Sequence, residues 1–288
     1  MAQNTEKLVQ DFVAKAQRDN RRVALITSGG TRVNLEKNAV RFIENFSMGN
    51  RGAASAEYFL KNDYLVIFFY REGTLKPFSR HATNLFDRLR LDSSQKAYIE
   101  PSADLDRVVA DNLRYKESIL FCPFTTVDEY LHNLEVICKQ LNCLGPTAMI
   151  YLAAAVSDFY IHEEKQPVHK MQSNEGDVQL SLSVVKKTLG RLVDSIVPNA
   201  FVISFKLETD PNLLIPKAEK ALKNYGHNLV IGNLLVDRKT RVVFVEQNGN
   251  EPLELNAEQV QQGVEIEQKI VEKLKKAHEA LIAKRSSQ

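Results

Sequence analysis

The chain has 288 residues, a formal net charge of +2, and hydrophobic and charged fractions of 44% and 26%, which are ordinary for a globular protein. This length allows one large α/β domain or two smaller ones, and the nearly balanced charge gives no reason to expect a nucleic acid as partner. The three cysteines are too few for a disulfide framework, no apolar run is long enough to span a bilayer, and the N-terminus lacks a signal peptide, so we expect a cytoplasmic protein with reduced thiols and no membrane partner.

The first predicted elements are a helix and a buried strand. Apolar residues at helical spacing predict a helix over residues 5–20, and a continuous apolar run predicts a strand over residues 22–28. A continuous run is typical of a parallel strand that helices cover on both faces. Gly29 and Gly30 follow at once and mark a sharp exit, at the edge of an open α/β sheet where ligands bind.

A second cluster of small residues, Ser47, Gly49 and Gly52, opens a predicted helix over residues 52–61, after a predicted loop at residues 31–45. Glycines in such a turn let the backbone approach a ligand, and the helix start directs N–H groups and a positive dipole end at one spot. The pattern predicts phosphate or carboxylate binding, and the alternative is a tight loop whose glycines serve packing alone. Because the glycines lie in two separate clusters, the pattern departs from the dinucleotide-binding fingerprint.

The next strand is predicted over residues 64–70 and completes a βαβ unit. It ends in Arg71 rather than in the acidic residue that binds the ribose in NAD proteins, and we interpret Arg71 as a solvated strand end, with a phosphate contact as the alternative.

Less regular sequence follows. Its predicted elements are helices at residues 83–89 and 104–115, a strand at residues 118–121, and a helix at residues 127–144 that begins with a capping box.

Residues 148–156 are predicted to form another buried strand, and Ala154 and Ala155 near its end leave space over the sheet edge for a ligand. Asp158 follows at that edge, where it is either a turn former or a functional carboxylate. Residues 160–182 are mostly polar, and alternation of apolar residues begins toward their end. We interpret this section as an excursion from the domain, made of a mobile loop and of strands that pair with another subunit.

The C-terminal half continues the alternation of helices and strands. Its predicted elements are a helix at residues 189–196, a strand at 200–205, a helix at 213–224, a strand at 228–233, a hairpin between 241 and 255, and a helix at 266–283. Such alternation is typical of α/β proteins. We predict a Rossmann-like, doubly wound, mostly parallel sheet in three αβα layers, forming a single domain over residues 1–288 with a dimerisation and active-site flap at about residues 159–185.

Several well-known catalytic motifs are absent from the sequence. It contains no P-loop, no Gly-x-Ser-x-Gly nucleophile elbow and no His-Glu-x-x-His zinc motif. No tyrosine has a lysine four residues later, which removes the usual acid–base pair of short-chain reductases. We interpret His162 and His169 as exposed loop residues, because no cysteine or carboxylate pattern completes a metal site around them.

Motifs spread over about residues 23–245 carry a resemblance to a known family. They are Thr27-Ser28-Gly29-Gly30-Thr31, the run from Val40 to Gly52, the run from Tyr151 to Tyr160, His169-Lys170-Met171-Gln172-Ser173, and the run from Ile203 to Asp210. Together they closely resemble the motifs of phosphopantothenate–cysteine ligases, also called phosphopantothenoylcysteine synthetases, of the monofunctional eukaryotic type. The chain departs from the expected pattern at Asn34, where we expect proline, and at Met48, where we expect a smaller residue.

The resemblance implies a homodimeric ligase of coenzyme A biosynthesis that uses ATP and Mg²⁺. ATP would activate the carboxylate of 4′-phosphopantothenate as an acyl-adenylate and release pyrophosphate, and the cysteine amine would then form the amide. Bacterial relatives use CTP, so CTP is the alternative nucleotide, and no residue pattern in the sequence decides between the two bases.

The resemblance also implies roles for individual residues. The nucleotide phosphates would be bound by Gly29, Ser47, Gly49 and Gly52, and the base and ribose by Phe205 and Asn233. Asn45 would bind the reacting carboxylate or acyl-phosphate oxygen, and Lys170 would bind the reacting phosphate. The phosphopantothenate would be bound across a dimer interface by Ala154, Ala155 and Asp158. A neutral amide suits position 45, because aspartate there would repel both a carboxylate and a phosphate. Lys170 would close over the site as a mobile cation, and the alternative is a loop lysine in water.

Two other functions are compatible with the same sheet. One is an NAD(P)-dependent reductase, which the displaced glycines and the missing tyrosine–lysine pair disfavour. The other is a non-catalytic, nucleotide-binding scaffold protein that keeps the fold without the reaction.

Overall fold

A computed structural model of the chain describes residues 2–172, 176–185 and 188–287. In chain order its strands are β1 (Val23–Ser28), β2 (Arg32–Asn34), β3 (Phe42–Glu44), β4 (Leu65–Arg71), β5 (Leu89–Leu91), β6 (Ala97–Ile99), β7 (Ile119–Phe124), β8 (Ala148–Leu152), β9 (Phe159–Tyr160), β10 (Ser183–Val184), β11 (Phe201–Glu208), β12 (Leu229–Leu234), β13 (Arg241–Glu246) and β14 (Gly249–Glu254). Its helices are α1 (Ala2–Arg18), α2 (Asn50–Lys61), α3 (Ala103–Tyr115), α4 (Val127–Leu141), α5 (Leu189–Arg191), α6 (Pro211–Tyr225), α7 (Ala257–Gln261) and α8 (Ile266–Ser286).

The central sheet contains eight of these strands, in the order β14-β13-β12-β11-β8-β1-β4-β7. The strands from β12 to β7 in this order run parallel, and β13 and β14 pair antiparallel at one edge. Numbered along the chain, the six parallel strands lie in the order 3-2-1-4-5-6, so the winding direction changes between β1 and β8. This arrangement confirms the predicted doubly wound, mostly parallel sheet. In such sheets, ligands bind beyond the carboxyl ends of the strands at which the winding changes.

Two hydrophobic cores cover the two faces of the sheet. Every residue of β1 and of β4 is buried. The continuous apolar run predicts this burial for β1, whereas the burial of Arg71 at the end of β4 was not predicted. One core packs the strands against α2 and α8, and the other packs them against α1 and α4. Alternate residues of a strand enter different cores, so that Ile26 belongs to the first and Leu25 to the second. A smaller core packs α6 on β12 and β13.

The segment between β1 and α2 differs from its prediction. Residues 31–45 were predicted as a loop, but they contain the antiparallel hairpin of β2 and β3. Each of these strands has only three residues, and Phe42 and Ile43 are exposed. The segment therefore has no apolar alternation long enough to indicate a strand.

Three other segments also differ from their predictions. The helix predicted at residues 83–89 is replaced by short 3₁₀ turns before the exposed hairpin of β5 and β6, because these residues have little core to pack against. The helix predicted to residue 144 ends at Leu141 and continues as a 3₁₀ helix. Of the alternating strand predicted from residue 178, only Ser183–Val184 pairs, with β9. Residues 173–175 of the predicted flap, and residues 186–187 just after it, lie outside the described residues.

Buried histidines lie outside the sheet edge where ligands are expected. His278 of α8 is fully buried, and its Nε2 donates to the carbonyl of Pro146 at 2.8 Å. Its Nδ1 must then accept the hydrogen bond of 2.9 Å from the Tyr64 hydroxyl, which fixes the neutral tautomer. Burial lowers the pKa of His278 to about 4, and burial likewise lowers the pKa of His227, which contacts Ser204 Oγ at 2.7 Å, to about 4.

We predict that these histidines make the fold sensitive to mild acid. The unfolded chain takes up a proton at each of these two residues near pH 6.5, whereas the folded chain takes them up only near pH 4. The stabilisation is therefore complete above pH 6.5 and is lost as the pH falls toward 4, by up to about 3 kcal/mol for each histidine. Urea unfolding at several pH values between 7 and 4.5 measures this slope.

The substitution His278→Gln should lower stability at pH 7 and flatten the slope, because one of the two protonation differences is removed. The matched control is His132→Gln, since His132 is exposed on α4. A slope that stays unchanged in His278→Gln would contradict the assignment.

Candidate active site

The backbone after β1 and the backbone after β8 remain hydrogen-bonded where the winding of the sheet changes. The N–H of Ala155 donates to the carbonyl of Gly29 at 2.8 Å, and the N–H of Thr31 donates to the carbonyl of Ala155 at 3.1 Å. The N–H of Ala154 donates to Thr27 Oγ1 at 3.0 Å. Ala154 and Ala155 are therefore fixed beside the first pair of glycines, at the carboxyl edge of the sheet where their pattern placed them.

Asn45 packs directly against Gly30. A Cβ atom at Gly30 would fall 1.8 Å from the carbonyl oxygen of Asn45, so the backbones approach as closely as only glycine allows. The N–H of Asn45 donates to the carbonyl of Thr31 at 3.2 Å, and its side-chain Nδ2 donates to the carbonyl of Val156 at 3.3 Å. These contacts hold the Asn45 amide between the segments that follow β1 and β8.

The N-terminus of α2 lies against the end of β1. Gly49 has φ 81°, a left-handed conformation that favours glycine, and α2 begins at the next residue. Ser28 Oγ donates to the carbonyl of Gly49 at 3.1 Å, and the N–H of Gly49 donates to Ser47 Oγ at 3.4 Å. A Cβ atom at Gly52 would fall 2.5 Å from Ser28 Oγ. The two glycines therefore bring the positive end of the α2 dipole to the sheet edge, where it favours an anion.

Packing alone requires glycine at these positions, whether or not a phosphate binds. Gly29 also has a positive φ of 87°, and its Cβ atom would fall 2.8 Å from Cβ of Arg71. The glycines therefore serve close packing. This packing does not compete with anion binding, because the same close contacts place the helix start beside the strand ends. Phosphate binding by Gly29, Ser47, Gly49 and Gly52 stays a prediction.

Phe205 and Asn233 lie on the face of the sheet that α2 covers. Phe205 is half-buried and meets the ring of Tyr151 edge to face at 4.9 Å, and the hydroxyl of Tyr151 is 2.8 Å from Oγ of Ser55 on α2. Asn233 is buried near the end of β12, where it pairs with Leu207. Its side chain shares a face with Ile231 two residues earlier, which belongs to the same core as α2.

Arg51 joins α2 to α8 and to the segment after β12. Arg51, in the first turn of α2, pairs with Glu267 of α8 at 2.8 Å. The other end of its guanidinium donates to the carbonyl of Arg238, a few residues beyond Asn233. The predicted phosphate-binding turn and the predicted base-binding strand end are therefore tied to each other through Arg51.

A cavity of about 200 Å³ brings two of the predicted substrate residues together. Asn45 and Asp158 both line it. The other lining residues are Val33, Ile43, Ser157, Phe159 and Leu182. The cavity thus combines one amide and one carboxylate with apolar walls, which suits a ligand that has a polar reacting group on a largely apolar body.

Lys170 is not among the residues that line this cavity. Its side chain is exposed, and its segment runs beside the turn between β2 and β3. Of the motif at residues 169–173, Ser173 lies outside the described residues. The structure therefore groups Asn45 with Asp158 but leaves Lys170 at the far end of the β2–β3 hairpin.

The interpretation of Arg71 as a solvated strand end is wrong. Arg71 is buried, and its guanidinium forms an ion pair with Glu44, which also pairs with Arg32 at 3.1 Å. Burial lowers the pKa of Arg71, and the charge of Glu44 opposes that effect. Sequence analysis missed Glu44, although an arginine that continues an apolar strand is a signal that a buried partner exists. The ion pair fastens β3, and with it Asn45, to the end of β4.

The described part of the chain lacks both a cluster of metal ligands and a membrane-spanning helix. Residues 2–172, 176–185 and 188–287 contain no group of three or more His, Cys, Asp or Glu side chains placed to hold a metal ion. Within the same residues, no helix combines the length and the apolar character that crossing a membrane requires.

Comparisons with known proteins agree on one family. The family model described as "DNA/pantothenate metabolism flavoprotein C-terminal domain" matches residues 130–282. Human phosphopantothenate–cysteine ligase is 43% identical over 96% of this chain and 92% of its own length. The yeast (Saccharomyces cerevisiae) phosphopantothenate–cysteine ligase CAB2 is 42% identical over 78% of this chain and 68% of its own length.

Solved structures also resemble the chain. A Cab2 variant in complex with phosphopantothenate-cysteine matches with a TM-score of 0.88 and 38% identity, over 99% of this chain and 95% of its own. The DNA/pantothenate metabolism flavoprotein from Streptococcus pneumoniae matches with a TM-score of 0.62 and 20% identity, over 90% of this chain and 99% of its own. At that identity the second match supports the fold alone.

We predict that Gly30→Ala displaces Asn45 and destabilises the protein. The new methyl group would overlap a backbone carbonyl, which cannot rotate away as a side chain can. Overpacking of this kind costs about 1–3 kcal/mol in the free energy of unfolding. Chemical unfolding measures the loss, and the amide signals of Asn45 in an NMR spectrum should shift.

The matched control is Gly190→Ala. Among the residues that the structure describes, a Cβ atom there meets only a ring carbon of Tyr225 at the ordinary distance of 3.8 Å, and the backbone has no positive φ. Equal stability of the two variants would contradict the close contact at Gly30.

Proposed function

The chain belongs to the phosphopantothenate–cysteine ligase family, and on that basis we propose that it joins 4′-phosphopantothenate to L-cysteine through a nucleotide-activated carboxylate, in coenzyme A biosynthesis. The structural observation that carries the proposal is the position of Asn45. Its amide is held beside Asp158 in one cavity, at the strand ends where the winding changes, and close to the start of α2. The relatives named above support the joining of phosphopantothenate to cysteine, and this geometry supports the sheet edge as its location.

In the proposed first step, the carboxylate of 4′-phosphopantothenate attacks the α-phosphorus of ATP. A carboxylate–phosphorus bond forms, the bond to pyrophosphate breaks, and an acyl-adenylate results. Two anions must meet here, so the groups that contact the reacting atoms have to be neutral or positive. Asn45 meets this requirement as a neutral donor, and the α2 N-terminus with Gly49 and Gly52 does so as the positive end of a dipole.

In the proposed second step, the amine of cysteine attacks the activated carbonyl carbon. The amide bond forms, adenylate leaves with the bonding electron pair, and the amine releases a proton. The Asn45 amide then donates to the oxygen on which charge develops. Lys170 would approach the reacting phosphate and keep water away from the adenylate, which hydrolyses easily.

We propose ATP as the nucleotide, with CTP as the alternative that the assay below decides. Phe205 and Asn233 would bind the base and ribose, and Gly29 and Ser47 would contact the phosphates. Mg²⁺ supplies charge neutralisation at the triphosphate, and such ions are held mostly by substrate phosphates and water, so they need no dedicated protein cage. The phosphopantothenate would lie against Ala154, Ala155 and Asp158.

Two observations weigh against the reductase alternative. The hairpin of β2 and β3 separates β1 from α2, whereas a dinucleotide fingerprint joins the first strand to its helix directly. Arg71, at the end of β4, is committed to Glu44 and is not presented to a ribose or its phosphate. The scaffold alternative is left to experiment.

We also propose that the protein is a homodimer. Val178, Leu180, Leu182 and Val184 lie at alternate positions and are all exposed in the single chain. An exposed, alternating apolar segment beside an edge strand favours pairing with another chain. A second copy would cover these side chains and would reach the cavity, because Leu182 also lines it.

The experiment that tests the proposed function measures pyrophosphate release. Purified protein is mixed with 4′-phosphopantothenate, cysteine and either Mg-ATP or Mg-CTP, and each substrate is omitted in turn. We expect release that requires phosphopantothenate and is faster with ATP. A folded, nucleotide-binding protein that releases no pyrophosphate with either nucleotide would favour the scaffold function.

In the same assay, we predict that Asn45→Asp reduces turnover by about 10²–10³-fold, the typical loss when one donor to a developing charge is removed. The new carboxylate would repel both substrates and would also face the carbonyl of Val156. The matched control is Asn84→Asp, the same change at an exposed loop residue. Thermal unfolding verifies that both variants fold. Near-normal ligation by Asn45→Asp would refute the role of Asn45.

For the dimer, we predict that Val184→Asp shifts the protein to a monomer in light scattering at micromolar concentration. Val184 is 66% exposed in the single chain, and a charge there would be buried in the proposed interface. Leu113→Asp on α3 is the control, because Leu113 is equally exposed, at 66%, but lies outside the flap. A wild-type protein that is already monomeric would rule out the dimer.

A further inference from the structure

The turn between β2 and β3 is hydrogen-bonded to the segment that carries Lys170. The N–H of Lys37 donates to the carbonyl of Pro167 at 2.9 Å, and the N–H of Asn38 donates to the carbonyl of Val168 at 3.1 Å. In the other direction, Nε2 of Gln166 donates to the carbonyl of Asn34 at 3.2 Å. These contacts are made mostly by backbone atoms, so they fix the path of the segment whatever its side chains are.

The centre of this turn is the carboxylate of Glu36, which is fully buried. Oε2 accepts the N–H of Arg41 at 3.0 Å and the N–H of Val40 at 3.4 Å, and Oε1 accepts Nε of Arg41 at 2.9 Å. Burial opposes the charge of Glu36, but the hydrogen bonds from Arg41 and Val40 outweigh burial and hold its pKa below the usual range. An ionised carboxylate therefore fixes the turn and the direction of the Arg41 side chain.

Arg41 extends this arrangement to the neighbour of Lys170. Its Nη2 donates to the carbonyl of Met171 at 2.7 Å, while its Nε stays on Glu36. A planar guanidinium can make both contacts only in one orientation, so fixing one of them fixes the other. The carbonyl of Lys170 itself accepts Nε2 of Gln172 at 3.1 Å, and its ammonium group remains exposed.

We infer that Glu36 is a positioning residue for Lys170: through Arg41 and the turn at residues 35–41, it fixes the backbone from which Lys170 reaches the reacting phosphate. The inference rests on the proposed function. Ordering a loop residue costs backbone entropy. When the resting protein has already ordered the segment, this cost is not added to the barrier of the reaction.

A purely structural role for Glu36 makes a different prediction from a positioning role. If Glu36 only stabilises the turn, its loss lowers stability and affects every kinetic constant in the same way, with or without Lys170. If it acts through Lys170, its loss affects turnover only while Lys170 is present. A double-mutant cycle between the two residues separates these cases.

The experiment compares Glu36→Gln, Lys170→Gln and the double variant in the pyrophosphate-release assay. Glutamine keeps the shape of Glu36, but it places an NH₂ group against donors that need an acceptor. We expect Glu36→Gln to lower kcat about tenfold, with the KM for ATP changed less than twofold. In the Lys170→Gln background the same change should alter kcat less than twofold. Glu129→Gln is the control, because Glu129 also accepts backbone N–H groups, at the start of α4.

A second readout does not depend on activity. Trypsin should cleave after Lys170 at least fivefold faster in Glu36→Gln, relative to cleavage after the exposed Lys239. Glu36→Asp keeps the charge and should restore part of both effects, and it serves as the test variant if Glu36→Gln does not fold.

Three outcomes would overturn the inference. Equal losses of kcat in the wild-type and Lys170→Gln backgrounds would show that Glu36 has a structural role alone. An unchanged rate of cleavage after Lys170 would show that Glu36 does not hold the backbone of this segment. Unchanged turnover in Lys170→Gln would remove the role of Lys170 and this inference with it, while ligation by the wild type would leave the proposed function standing. A wild type that performs no ligation would instead be a failure of the proposed function.

Discussion

The close contact between Gly30 and the carbonyl of Asn45 is the constraint on which the site depends. The chain leaves β1, forms a hairpin, and returns across its own path before α2 begins. Such a return is possible only because Gly30 has no side chain, since a Cβ atom would fall 1.8 Å from that carbonyl oxygen. The contact keeps the Asn45 amide at the place where the winding of the sheet changes. The usual place for a ligand in this fold is thereby supplied with a hydrogen-bond donor.

The second group of glycines solves a similar problem for α2. The helix starts beside Ser28, at the carboxyl end of β1, and Gly49 and Gly52 remove the side chains that would hold it away. The two clusters therefore have different tasks: the first brings in the hairpin and its amide, and the second brings in a helix dipole. A dinucleotide-binding fold uses a single cluster, because it has no hairpin to accommodate between its first strand and helix.

The sequence predicted the sheet better than it predicted the site. Long apolar runs such as those of β1 and β4 identify buried parallel strands by themselves, and the order of elements then leads to a doubly wound sheet. The same reasoning placed Asp158 at the carboxyl edge of the sheet, and the family resemblance singled out Asn45. Both residues line one cavity. The hairpin of β2 and β3 could not be predicted, because its strands are very short and their stability comes from contacts with distant residues. Arg71 was misjudged for the same reason, since its partner Glu44 belongs to that hairpin.

The β2–β3 hairpin buries little apolar surface, so it needs another source of stability. Glu44 provides it at the base, between Arg71 and Arg32, and Glu36 provides it at the tip, with Arg41 and two backbone N–H groups. Carboxylates that are buried, like Glu36, or half-buried, like Glu44, are costly to desolvate, and they hold a structure in place only when nearly all of their acceptor sites are used. Because of this requirement, each end of the hairpin is stable in one defined geometry. The base of the hairpin then defines where Asn45 lies, and its tip defines where the segment with Lys170 runs. The proposed reaction depends on both residues, so the β2–β3 hairpin, which has almost no core of its own, sets the distance between them.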